Sequence, residues 1–170
     1  MTSSDADHPP RDDQDFTTSF TPPRWPASAS LVLSLCGLAV SAYLVFEHYT
    51  AGATLACPQT ATFNCAKVTT SSYAFVGGVP VAVLGLLFFA AMALLCLPQA
   101  WRSGGRRGAL LRRVRLAGAA SGVVAVLYLV WVELFAVGAL CLWCTGVHVL
   151  AITLFAVVAV GSALLVDAED

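Results

Sequence analysis

The sequence predicts an all-α membrane protein, a four-transmembrane-helix bundle with an outer loop between spans one and two, and three observations carry that reading. First, 58% of the 170 residues are apolar and only 11% are charged, with a mean hydropathy of +0.79. That composition is too apolar for a water-soluble domain. Second, the apolar residues gather into four runs, each close to the roughly 20 residues that cross a hydrocarbon core of about 30 Å. Third, the nine Lys and Arg are unevenly placed. Arg102, Arg106, Arg107, Arg112, Arg113 and Arg115 lie between the second and third runs, Arg11 and Arg24 precede the first, and only Lys67 lies between the first and second. By the positive-inside rule both termini and the Arg-rich connection are cytoplasmic, and the loop between spans one and two faces outward. A basic loop flanking membrane spans accounts for the arginines, so no nucleic-acid partner is invoked.

Residues 1–26 are polar and Asp-rich, with Pro9-Pro10 and Pro22-Pro23. They lack the basic start and short apolar core of a cleavable signal and read as a disordered cytoplasmic tail. The membrane domain occupies 27–166, with spans at about 27–46, 79–97, 116–135 and 140–166. Between spans one and two, Gly, Thr, Asn and Pro punctuate a loop for turns. Its segment Val68–Phe75 mixes hydroxyl residues with apolar ones, a composition suited to lying at the interface, where Tyr73 is an anchor. Gly77-Gly78-Val79-Pro80 forms a turn and places Pro where a helix start tolerates its missing N–H. Span three carries Gly118, Ala119, Ala120, Ser121 and Gly122, small residues that let helices approach closely. Glu133 falls near the outer end of that span and reads as solvated at the interface. The short connection to Ala139 makes spans three and four an antiparallel hairpin.

Four of the six cysteines fall on the predicted outer face. Cys57 and Cys65 are in the loop, and Cys141-Leu142-Trp143-Cys144 opens span four. An exterior compartment tolerates disulfides. A Cys-x-x-Cys on the first turn of a helix is near backbone N–H groups and a dipole that favour thiolate, and it can close a disulfide that carries two electrons. The loop pair has two readings, a plain staple across a small loop or the outer member of a redox relay; the helix pair on the same face favours the relay. A four-cysteine zinc site lacks its second Cys-x-x-Cys, so no metal is assigned. Cys36 and Cys96, toward the inner side, read as small apolar fillers.

Together these residues resemble the vitamin K epoxide reductase family, and the bacterial members most. The pattern consists of Cys57 and Cys65 with seven residues between, Ser71 six positions later, Gly78-Val79-Pro80 opening span two and Cys141-Leu-Trp-Cys144 opening span four. It covers about Ser28 to Val166. The resemblance implies a quinone-dependent thiol oxidoreductase in the bacterial plasma membrane. Such an enzyme passes two electrons from an extracytoplasmic thioredoxin-fold protein to a membrane quinone, menaquinone or ubiquinone, and so supports disulfide formation in exported proteins. Cys57 meets the partner, Cys65 attacks Cys141 as the accessible outer sulfur, and Cys144 faces the quinone. Ser71 and His148 are assigned to the quinone site, and His148 stands where many members carry Tyr. The family's asparagine near the start of span two is replaced here by Pro80-Val81, a departure at the position that contacts vitamin K epoxide in animal members. The chain ends at Asp170 without a thioredoxin-like domain, so the partner is expected to be a separate protein. Two rival readings are a non-catalytic four-helix scaffold stapled by disulfides and a quinone or vitamin K epoxide reductase.

Overall fold

The computed structural model describes residues 24–50, 57, 60 and 62–167, so the expected tail lies outside the described residues except for its last three positions. Helix α1 (Trp25–Tyr49) starts with Pro26 in its first turn, where a missing N–H costs nothing. A short α2 (Cys65–Thr69) follows, capped by the Asn64 side chain, which accepts from the Lys67 N–H at 3.0 Å. Then come a 3-10 turn (Ser72–Ala74) and a two-residue hairpin, β1 (Phe75–Val76) against β2 (Val79–Pro80), paired Phe75 to Pro80 and Val76 to Val79. Gly77 and Gly78 close the hairpin at φ 59° and 84°, a left-handed pair that only glycine adopts cheaply.

Helix α3 (Val81–Leu95) is shorter than the expected span because Leu97 precedes Pro98 and takes an extended conformation, φ −56° and ψ 141°. The chain restarts as the single turn α4 (Pro98–Trp101). Helix α5 (Gly105–Trp131) begins eleven residues before the expected span, so most of the Arg-rich connection is helical. Arg and Leu are good helix formers, and hydropathy locates the apolar part of a helix rather than its end. Arg115 is not a solvated loop residue: it is 1% exposed, its guanidinium lies 3.5 Å over the Trp101 ring, and Nη1 donates to the Leu95 carbonyl at 3.4 Å. Helix α5 runs into a π turn (Val132–Val137), which ends at Gly138 with φ 64°. Helix α6 (Leu142–Asp167) completes the fold.

Three of these helices are long and apolar enough to cross a membrane, and α3 is a shorter apolar one. Large apolar side chains such as Val32, Leu87, Leu94, Val124 and Leu127 point outward, whereas Ser30, Ser34 and Ser41 are buried on α1. This is an all-α membrane bundle, with small and polar groups at helix interfaces and apolar ones toward lipid. Helix α1 packs on α3 and α6, and α5 on α6. The contacts are close where glycine permits: a Cβ at Gly37 would overlap the Phe89 ring, and one at Gly122 would overlap Phe88. The core gathers Phe89, Met92, Cys96, Ala119, Leu154 and Val158. Cys96 is thus a core residue, while Cys36 is exposed on the outer surface of α1 and fills nothing.

Candidate functional site

The site is built where the loop after α1 meets the start of α6. A backbone bridge joins them: the Leu140 N–H donates to the Thr62 carbonyl at 2.9 Å, and the Asn64 N–H donates to the Leu140 carbonyl at 3.0 Å. Two of the cysteines follow this bridge directly. Cys65 opens α2 and is 1% exposed, and Cys141 stands just before α6 and is 0% exposed. The sequence makes Cys141 an accessible outer sulfur; the structure closes it off from solvent and packs it behind the turn that carries Cys65. Cys57 and Cys65 form a disulfide with Cα atoms 6.2 Å apart, and Cys57 is half-buried. Cys141 and Cys144 are thiols.

Cys141 acts as a sulfur cap on α6. The Cys144 N–H donates to its Sγ at 3.2 Å, and the Trp143 N–H also reaches it. A cysteine at the N-cap position can satisfy the unpaired donors of a first helical turn much as a serine does. The Cys141 thiol is accordingly held below its ordinary value. The hydrogen bond from the Cys144 thiol is the largest cause, the two backbone N–H groups add to it, and burial and the nearby Glu133 work against it. The Trp143 ring packs against Tyr43 of α1 with centroids 4.9 Å apart, fixing the motif against the bundle.

Beneath this motif lies a cavity of about 330 Å³ between α1, α3, α5 and α6, roofed by the segment from Val68 to Val76. Its walls are mostly apolar, with Phe88, Phe89, Leu129 and Val147 among them, and Cys144 forms part of the wall while Cys141 does not. His148 lies one turn beyond Cys144 on the same face, 6% exposed and with no hydrogen-bond partner among the described residues, and it faces the cavity. Ser71 is also on the wall. Its hydroxyl donates to the Val68 carbonyl at 2.8 Å, so toward the cavity it offers only lone pairs. The six residues singled out from the sequence thus fall into two groups. Cys57, Cys65 and Cys141 lie at or above the roof, and Cys144, Ser71 and His148 line the cavity.

Glu133 differs from its expected place. It is 4% exposed, lines the cavity, and accepts the backbone N–H of Cys141 on its carboxylate. The π turn moves it there: the extra residue per turn rotates the end of α5 inward, and the Gly138 and Ala139 N–H groups both close on the Glu133 carbonyl. No sequence pattern announces a π turn, although a carboxylate at the end of an apolar run was a visible signal.

An apolar, partly open cavity of this volume with a few polar groups converging on it fits a flat hydrophobic ring bearing carbonyl acceptors, which His148 is free to meet. The comparison with known proteins agrees. Residues 28–159 match the model of the Vitamin K epoxide reductase family, a span that contains Cys57, Cys65, Cys141, Cys144, Ser71, Glu133 and His148. No curated protein matches the chain. With a match over most of its length, a bundle of apolar helices and a dithiol beside a closed disulfide, the chain belongs to the vitamin K epoxide reductase family, and it is a multi-pass membrane oxidoreductase.

Proposed function

We propose that residues from about 27 to 166 form one catalytic unit that oxidises a thioredoxin-fold protein outside the cytoplasm of a bacterium and delivers the electrons to a membrane quinone. The observation that carries this reading is the division of the Cys141-x-x-Cys144 motif between two environments. Cys141 backs onto the turn of Cys65, while Cys144 forms part of the cavity wall. One dithiol touches both the donor side and the acceptor side. The six arginines at the other end of the bundle support cytoplasmic termini and outward-facing cysteines.

Each residue has a task in this reading. Cys57, the less buried of the loop pair, takes the mixed disulfide with the partner's thiol, and Cys65 leaves as a thiol. Cys65 then attacks the Cys141–Cys144 disulfide at Cys141, and Cys144 leaves as a thiol in the cavity wall. The second thiol of the thioredoxin-fold protein closes that protein's disulfide and frees Cys57, which attacks Cys65 and releases Cys141, so that the loop pair is closed and the helix pair reduced. The backbone N–H donors on the Cys141 sulfur are preformed, so they stabilise the negative charge that develops there as the pair exchanges. A bound quinone supplies an acceptor for two electrons and two protons, which is what one dithiol releases as it closes. His148 presents a ring nitrogen toward a carbonyl oxygen, and Ser71 supplies hydroxyl lone pairs. Burial of Cys65 and Cys141 keeps small external thiols away from the inner steps.

The test is direct. Purified protein in detergent is given a reduced thioredoxin-fold protein with menaquinone or ubiquinone analogues, and the thiols and hydroquinone are counted. One hydroquinone for each disulfide formed is the expected result. Oxidation of the partner that proceeds equally without quinone would refute the acceptor assignment.

A further inference from the structure

The steps above leave one buried ionisable group of the cavity wall without a task. Glu133 is 4% exposed and meets Cys144 and His148 on the same cavity. Its carboxylate is tied to the Cys141 backbone, so it also stands beside the second sulfur of the pair. The described lining includes no Lys or Arg, and Glu133 has no ion-pair partner among the described residues. A carboxyl inside a membrane protein without a structural partner charge is a functional group by default. The π turn that turns it inward is the kind of helix irregularity that recurs at functional sites.

We propose that Glu133 carries a proton between the Cys141–Cys144 pair and the acceptor in the cavity. The inference rests on the quinone reading for the identity of that acceptor. When the pair closes, two S–H bonds break, the S–S bond forms, and two electrons and two protons leave. The electrons go to the quinone, which becomes hydroquinone. The Glu133 carboxyl gives its proton to one quinone oxygen and is restored by the proton of the Cys141 thiol, while the proton of the Cys144 thiol reaches the other oxygen by way of His148. Glu133 is then a catalytic residue, because it lines the space the acceptor occupies. His148 and Glu133 lie on different helices, α6 and the end of α5, so the two protons have separate routes.

Two measurements test this on the full-length protein. The first needs no quinone: redox-difference infrared spectra are taken as the protein is cycled between dithiol and disulfide with a thiol buffer. A carboxyl carbonyl band that changes with the redox state is expected, moved by Glu133→Asp and lost in Glu133→Gln. Spectra identical in wild type and both variants overturn the proposal. Should Gln at 133 prevent folding, the Asp variant alone decides, since its band either moves or does not. The second is rapid mixing of reduced protein with a short-chain quinone. Glu133→Gln is expected to slow hydroquinone formation about 100-fold, in the range of lost general acid catalysis. Exchange between the loop pair and a thiol partner stays unchanged, and Glu133→Asp recovers at least a tenth of the lost rate. Unchanged hydroquinone formation in Glu133→Gln overturns the proton role and leaves the quinone reading intact. If wild type reduces no quinone at all, the quinone reading fails, and the infrared result still decides whether Glu133 exchanges its proton with the pair.

Discussion

Replacing Cys144 with serine is expected to reroute the disulfides, and the structure gives the size of the effect. In the wild-type arrangement Cys57 and Cys65 close a loop over a sequence separation of 8, and Cys141 is a thiol with hydrogen-bond donors on its sulfur. Serine at 144 keeps the backbone N–H but removes the only cysteine within α6 with which Cys141 can form a disulfide. The Cys141 thiolate then attacks Cys65, the Cys57–Cys65 bond opens, and Cys57 leaves as a thiol, with no net gain or loss of electrons. The backbone bonds between Thr62, Asn64 and Leu140 already hold the two turns together. On the chain-entropy account, a disulfide over a separation of 8 restricts the unfolded chain by about 2.5 kcal/mol, and one over roughly 76 positions, from Cys65 to Cys141, adds about 2 kcal/mol more. The exchanged protein should therefore resist unfolding by that further ~2 kcal/mol. Non-reducing peptide mapping identifies the pairs, and denaturant unfolding in detergent compares their stabilities. Finding Cys57–Cys65 intact beside free Cys141 in most molecules, even with reduced partner and oxidant supplied, would refute the route from Cys65 to Cys141.

The remaining expectations use simpler readouts. His148→Ala should slow hydroquinone formation by roughly 10²-fold, as loss of a positioned proton donor does, and leave exchange at Cys57 untouched; equal loss of both steps would mean that the ring only supports the fold. Gly37→Ala should cost about 1–3 kcal/mol because its methyl group overlaps the buried Phe89 ring. Gly146→Ala, where nothing lies within 4 Å, should stay within about 0.5 kcal/mol, so equal costs at the two sites, measured by thermal unfolding, would contradict the packing. A membrane-impermeant maleimide applied to reduced, intact cells should label half-buried Cys57 first and Cys65, 1% exposed, far more slowly. Labelling of Cys96 in place of Cys57 would invert the topology.

Fold class was legible because the bilayer imposes its own dimensions on composition, so that apolar runs and arginine placement mark helices without any periodicity. The ends of helices were less legible. Apolar runs stop where side chains become polar, but α5 continues through Arg115 to Gly105 since arginine is compatible with both helix and burial once Trp101 covers it. The candidate site residues were legible as types and spacings: two cysteine pairs, a serine and a histidine one turn beyond Cys144. The resemblance to the family also put Cys144 toward the cavity. The burial of Cys141 as a cap on α6 was not legible, because it depends on the bridge between Thr62, Asn64 and Leu140, a long-range pairing of two irregular segments that leaves no pattern in either. The depth of Glu133 depends on a single π turn, and hydropathy averages over a window wider than that turn.

On the proposed relay, that bridge also accounts for selectivity. A thiol oxidase in an oxidising compartment meets many thiols, and one with exposed cysteines throughout would exchange with all of them. Here Cys65 and Cys141 are closed off from solvent, so of the loop pair a soluble thiol finds Cys57 first. Exchange through Cys57 in turn frees Cys65, whose own turn is held against Cys141 by backbone hydrogen bonds rather than by side chains. Backbone bonds are indifferent to the redox state of the sulfurs, so the two turns stay in register whichever pair is oxidised. On this reading selectivity at Cys57 and fidelity at Cys141 are set by different parts of the structure, the exposure of the loop pair and the start of α6, and a change at one need not disturb the other.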